Sequence, residues 1–202
     1  YTTLFRSTIY IGGGTPTALS APQLDRLLSG ITQHLDLSAL EEFTVEANPG
    51  DLSDDKIAVL KAHHVNRVSL GVQTFNDKLL KKIGRSHTAQ DVFDNIGKLR
   101  QAGFENITID LIYALPTQTL ADVKKDVATL LTLDLPHVAL YSLILENHTI
   151  FMNKMRRGKL DLPSEDSDFE MYTYIIDQLE AAGYDHYEIS NFGKKGFESA
   201  HN

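Results

Sequence analysis

Apolar positions along this chain follow two rhythms that alternate from end to end. Short runs rich in β-branched and aromatic residues, near 8–11, 43–47, 67–72, 107–113, 137–143 and 184–189, predict strands. Between them apolar residues recur every third or fourth position, which predicts amphipathic helices. The first helix places Leu24, Leu27, Leu28, Ile31 and Leu35 on one stripe, behind a Ser20…Gln23 capping box. The second starts at Ser53, with Asp54 and Asp55 in the turn where the helix dipole favours acids. Later helices begin at Thr88, Thr119 and Ser164; the fourth repeats Leu120, Val123, Val127 and Leu130, and the last Phe169, Tyr172, Ile176 and Leu179. Ala102-Gly103-Phe104 and Ala182-Gly183-Tyr184 each end a helix with a glycine cap that feeds the next strand. Strand and helix in regular alternation mean parallel strands joined by crossover helices, so the fold class is α/β, a partial (β/α) TIM-like barrel.

In such a fold, chemistry gathers at the C-terminal ends of the strands. The first strand breaks there into Gly12-Gly13-Gly14-Thr15-Pro16, where a backbone without side chains can turn sharply or lie against a ligand. The run lacks the last glycine of a dinucleotide fingerprint and the Gly-Lys-Ser/Thr of a P-loop. Alternation then sets Thr44 and Glu46 on one face of the second strand, Ser69, Gly71 and Gln73 on one face of the third, and Thr108 and Asp110 on one face of the fourth. A small polar residue below and a hydrogen-bonding one above, three times in phase, predict a small-molecule site.

The 202 residues carry a net charge of −8 with no Lys/Arg stripe, which argues against nucleic acid as a partner. No apolar run reaches the ~20 residues of a membrane span. There is no cysteine, hence neither disulfide nor thiolate metal site within these residues, and a cytoplasmic setting is compatible. The abrupt start at Tyr1 and the end at His201-Asn202 predict one domain, residues 1–202, truncated at both ends.

Five stretches together are similar to a known family: Tyr10-Ile-Gly-Gly-Gly-Thr-Pro-Thr17, Val45-Glu-Ala-Asn-Pro-Gly50, Arg67-Val-Ser-Leu-Gly-Val-Gln-Thr-Phe75, Ile109-Asp-Leu-Ile-Tyr-Ala-Leu-Pro116 and Tyr187-Glu-Ile-Ser-Asn-Phe192. In order and spacing they resemble the radical S-adenosylmethionine (SAM) family of oxygen-independent coproporphyrinogen III oxidase-like proteins. Tyr141-Ser142-Leu143, the Glu-Ile-Ser-Asn-Phe run and the terminal His201-Asn202 resemble most the HemW-type heme-chaperone branch. The resemblance implies SAM, a four-iron four-sulfur cluster and heme as cofactors, and a heme-accepting protein as a partner. It implies that the family's Cys-x-x-x-Cys-x-x-Cys segment precedes Tyr1, so that this piece alone neither holds a cluster nor cleaves SAM. Residue by residue, it implies that the backbone at Gly13, Gly14 and Thr15 holds the amino-acid end of SAM. Glu46 then accepts from the ribose hydroxyls, Gln73 and Asp110 make further polar contacts, Arg85 can fork onto a carboxylate, and Ile144 gives a looser backbone contact. His201 matches the first residue of a heme-binding motif and, standing at the end of the chain, is expected to be poorly placed.

Other candidates have plainer readings. His63-His64 stands where two sister helices end in Ala-Gly, and predicts a left-handed cap rather than a metal pair. His137 and His148 lack ligand-spaced partners and read as surface residues, His186 as the border of a site, and Lys154 to Lys159 as a solvated basic turn. Two rival activities remain: coproporphyrinogen III oxidation within the family, and outside it a barrel lyase or aldolase using Glu46 and Asp110 as acid and base. Against the latter, no Schiff-base lysine stands at a strand end.

Overall fold

The computed structural model describes residues 7–144, 152, 153, 157 and 160–201. Within them, strands β1 (Thr8–Ile11), β2 (Glu42–Ala47), β3 (Arg67–Gln73), β4 (Asn106–Tyr113) and β5 (His137–Ser142) lie side by side and parallel. Helices α1 (Ala21–His34), α2 (Asp54–Ala62), α4 (Ala89–Gln101) and α5 (Leu120–Thr132) connect them, with a short α3 (Asp77–Lys82) ahead of α4. A last helix, α6 (Glu165–Ala181), leads into strands β6 (Asp185–Glu188) and β7 (Asn191–Gly193). The sheet order is β1-β2-β3-β4-β5-β7-β6, a mostly parallel half-barrel.

The end of the sheet departs from the all-parallel expectation. β7 pairs antiparallel with both β5 and β6, standing between them. Only Ile189 and Ser190 separate β6 from β7, too short a link for a parallel crossover, which takes a dozen residues or more. Glu188 closes that turn, accepting from the Ser190 N–H at 3.1 Å and from the Asn191 amide at 2.6 Å.

Helix starts follow the sequence signals. Gln23 accepts from the Ser20 N–H (3.0 Å), while Thr88 pairs with Asp91 and Thr119 with Asp122 in reciprocal boxes. Gly103 and Gly183 take positive φ, and Phe104 and Tyr184 bury themselves behind them. His64 also adopts φ 62°, the left-handed cap expected of it, and His63 reaches Asp25 at 2.7 Å.

Two helix stripes are narrower than their periodicity suggests. In α1, Leu24 and Leu28 are buried but Leu27 and Leu35 face outward. In α6 the buried line is Met171, Ile175 and Leu179, whereas Phe169 is 71% exposed. Each helix covers one face of a sheet, which needs about three positions per two turns, and the surplus apolar residues fall outside that arc. The core between helices and sheet runs from Leu24 and Phe43 through Leu70 and Ile109 to Val138 and Phe192.

Candidate functional site

The helices cover the outer face of the sheet, and the inner face carries the polar residues in two layers. The upper layer starts at the glycine loop after β1. Here Gly12 has a steric reason: a Cβ would lie 2.4 Å from Glu46 Cδ and 2.6 Å from Tyr10 Cε1. Without it the two side chains meet, and the Tyr10 hydroxyl donates to Glu46 Oε1 at 2.8 Å. Gly13 takes φ +79°, and a Cβ at Gly13 or Gly14 would meet nothing within 4 Å, so this backbone faces open space. The loop is anchored from below. Thr17 is buried, its hydroxyl accepting from the Asn48 N–H (3.1 Å) and its carbonyl from Lys56 Nζ (2.6 Å).

The ladder register sets Glu46 beside Ser69, and Ser69 beside Thr108. Ser69 Oγ lies 3.0 Å from both oxygens of Asp110. At the end of β3 the register slips between Leu70 and Gln73, and Gln73 turns into the left-handed region at φ 70°. Gly71 leaves room there: its absent Cβ would stand 3.3 Å from Gln73 Nε2 and 3.6 Å from Arg85 Nη2. Arg85 follows α3, its N–H donating to Leu80 at 2.9 Å. Gly14, Thr15, Glu46, Gln73, Arg85 and Asp110 thereby converge on one cavity of about 210 Å³, shared with Ala47, Asn48, Ser69 and Gly71.

The electrostatics follow from burial. Asp110 is pushed up to about 6, first by burial and then by the nearby Glu46 charge, against the Ser69 hydrogen bond and the Arg67 and Arg85 charges. Burial lowers the Arg85 guanidinium, and Asp110 partly restores it. Burial and the bond to Glu46 raise the Tyr10 hydroxyl, which stays protonated and donating. Backbone at Gly14 and Thr15, two carboxylates, an amide and a guanidinium can therefore grip a small zwitterion bearing hydroxyl groups.

The lower layer sits deeper on the same face. Arg67 reaches Ser199 Oγ at 2.6 Å, Glu42 Oε1 at 3.4 Å and His137 Nδ1 at 3.2 Å. His137 is fully buried (0% exposed) rather than a surface residue, because alternation along β5 turns it inward. Arginine can only donate, so Nδ1 is an acceptor; it also lies 2.6 Å from the Thr108 hydroxyl. Nε2 then carries the proton and donates to the Tyr187 hydroxyl at 2.7 Å. Burial, reinforced by the Arg67 charge, lowers His137 to about 3, so the ring stays neutral.

This layer also seats the end of the described chain. Ser199 Oγ and the Ala200 N–H both donate to Glu42, at 3.1 Å each. His201, expected to be poorly placed, stacks on Tyr10 (centroids 5.0 Å apart, 21° between planes), with Nδ1 at 3.3 Å from the Thr8 hydroxyl. The held Ser199-Ala200 backbone explains the difference.

The remaining candidates lie elsewhere. Ile144 is 80% exposed and does not line the cavity. His186 stacks on Phe192 at 4.2 Å, a packing role at the sheet edge. His148 and much of the Lys154 to Lys159 turn fall outside the described residues. Sequence reasoning missed Arg67, Glu42, Tyr187 and Ser199. The inward alternation that marked Ser69 and Asp110 also marks Arg67 and His137, and would have found those two. Among the described residues no group of three or more His, Asp or Glu could hold a metal ion, and no helix is long and apolar enough to cross a membrane.

Comparison with known proteins adds the ancestry. Over 195 residues the chain is 68% identical to the heme chaperone HemW of Lactococcus lactis subsp. lactis (strain IL1403), covering 96% of this chain and 52% of that protein. The heme chaperone HemW of Bacillus subtilis (strain 168) is 51% identical over 196 residues, with the same 96% and 52% covered. The chain thus spans about half the length of the curated relatives it matches. Coproporphyrinogen III oxidase (HemN) from Escherichia coli, a radical SAM enzyme, superposes with a TM-score of 0.84 at 28% identity, covering 95% of this chain and 44% of that one. The Radical SAM superfamily profile matches residues 4–130, the stretch that supplies the glycine loop, Glu46, Gln73, Arg85 and Asp110. By that match the chain belongs to the Radical SAM superfamily.

Proposed function

We propose that this chain is the SAM-binding part of a cytoplasmic heme chaperone of the HemW kind, which takes up heme and passes it to an acceptor protein. The observation that carries the reading is the convergence of the glycine loop, Glu46, Gln73, Arg85 and Asp110 on one cavity at the C-terminal ends of β1 to β4. Carbonyls near Gly13 and Gly14 accept from the SAM ammonium, and Arg85 takes the carboxylate in a two-pronged bond. Glu46 accepts from the ribose hydroxyls, while Gln73 and Asp110 complete the polar contacts. His201 offers an imidazole to heme iron, a common axial ligand.

A four-iron cluster, when bound to SAM, supplies the electron for its reductive cleavage. These 202 residues contain no cysteine and do not fit such a cluster, so its ligands belong to another part of the parent protein. What this chain contributes is binding and orientation. The 0.84 superposition on a coproporphyrinogen III oxidase favours a second reading, oxidative decarboxylation of a porphyrinogen propionate in the same cavity.

The test uses full-length protein. Calorimetry should show SAM binding, weakened about ten- to a hundredfold by Glu46→Ala, the effect of removing a charged hydrogen-bond partner. Heme titration followed at the Soret band should show binding that His201→Ala weakens and shifts. Unchanged SAM affinity removes Glu46 from the site, and identical heme spectra remove His201. Conversion of coproporphyrinogen III to protoporphyrinogen IX would decide for the oxidase.

A further inference from the structure

Tyr10 touches both ends of the proposed machinery, and no other described side chain does. Its hydroxyl donates to Glu46 at 2.8 Å, and its ring carries the His201 imidazole at 5.0 Å. The arrangement is written into β1. Thr8, Tyr10 and Gly12 share one strand face by alternation. Thr8 meets His201 Nδ1 (3.3 Å), Tyr10 spans the middle, and Gly12 withholds the Cβ that would separate Tyr10 from Glu46. From the other side His201 arrives on a held segment: Glu42, the register partner of Thr8, binds Ser199 and Ala200 just before it.

We infer that Tyr10 is a positioning residue that couples the adenosyl-ligand pocket to the heme-binding histidine, so that occupancy of one favours occupancy of the other. The inference rests on the function proposed above. Tyr10 has two tethers, a hydrogen bond to Glu46 and a stacking contact with His201. Ribose hydroxyls that donate to Glu46 compete for the first tether. An iron that takes His201 removes the second. Each ligand loosens the ring, and the next then displaces a partner already half released. Such coupling is reciprocal by linkage, and coupling energies between sites commonly amount to fivefold or more in affinity.

The experiment titrates heme into full-length protein, its cluster reconstituted and no reductant present, with and without saturating SAM. In the wild type SAM should tighten heme binding by about fivefold or more. Tyr10→Phe keeps the ring and the stack on His201 but loses the hydroxyl, and should bring the ratio to one while both ligands still bind. Tyr10→Leu, which removes both tethers, should also give a ratio of one, and thermal melts of both variants report their folding. A wild-type ratio of one, a SAM-weakened heme affinity, or a ratio untouched by Tyr10→Phe overturns the inference while leaving the proposed function intact. Failure of the wild type to bind heme or SAM at all overturns that function, and this coupling with it.

Discussion

Two polar layers line the inner face of one half-barrel, and they differ in what their side chains do for one another. In the lower layer Glu42, Arg67, Thr108, His137, Tyr187 and Ser199 bond mutually at 2.6–3.4 Å, and the cavity beside Arg67 and His137 holds only about 30 Å³. In the upper layer Glu46, Gln73, Arg85 and Asp110 surround about 210 Å³, and Asp110 titrates near 6. Both layers carry charge, fully buried at Glu42 and Arg67 and half-buried at Glu46, Arg85 and Asp110. Among the six residues of the lower layer nearly every polar group is spent on a neighbour, Arg67 Nε alone lacking a partner, so the burial of this layer serves architecture. An open ring of the same residue types retains unspent hydrogen-bonding capacity, which is what a ligand uses.

The largest effect that should separate the layers comes from Arg67→Ala. Glu42 would lose its buried cation, and removing one partner of such a pair costs about 3–5 kcal/mol, read as a lower denaturant midpoint. The double variant Arg67→Met with Glu42→Gln should recover much of that loss. Asp110→Ala, in the open layer, should move stability far less and the affinity for SAM by about 1.5–3 kcal/mol. If the two changes act alike on stability and on binding, the distinction between the layers fails.

The next effect is a pH dependence with opposite signs in the two layers. His137 has a folded value near 3 against 6.5 unfolded, so its contribution to stability is lost as pH falls below 6.5. Asp110 is raised to about 6 from 3.8, so it gives stability that is present below about 4 and lost as pH rises through 6. Between pH 4 and 6 the two trends oppose each other. His137→Gln should remove one of them, so that between pH 6 and 4 the melting temperature of the variant falls less, relative to its value at pH 7, than that of the wild type. The same pH dependence in variant and wild type would show that His137 is not held neutral by the fold.

The smallest effect is Ser69→Ala. Asp110 loses the hydroxyl bond that lowers it, so its titration should move above 6, at a cost of about 1 kcal/mol. Following SAM affinity against pH would show it: the acid loss of binding should begin at a higher pH than in the wild type. No displacement would mean that Asp110 does not contact the ligand as a carboxylate.

Much of this arrangement was legible in the sequence, because strand alternation is rigid. Once Glu46, Ser69 and Asp110 are in phase on parallel strands, the ladder places them together. The same rule applied to β5 turns His137 inward, but no local spacing signals its role, since its partners Arg67 and Tyr187 are 70 and 50 residues away in the chain. Strand β7 is not legible because three residues carry no period; only with its bounds in hand does the two-residue link after Glu188 require an antiparallel return. Gly12 was legible as a turn but not as a gap between two side chains. That needs the register of β1 on β2, which pairs Ile11 with Val45 and so brings Gly12 abreast of Glu46.

Gln73, finally, bends out of β3 at φ 70°, in a backbone region that favours glycine over residues bearing a Cβ by ~1 kcal/mol. A glycine at 73 would relax the strand end and take the amide out of the cavity. The position therefore sets thermodynamic comfort against ligand contact. Selection for thermostability alone would drift toward glycine there and erode the pocket without disturbing the fold, so a stabilised version of this domain would need residue 73 held fixed.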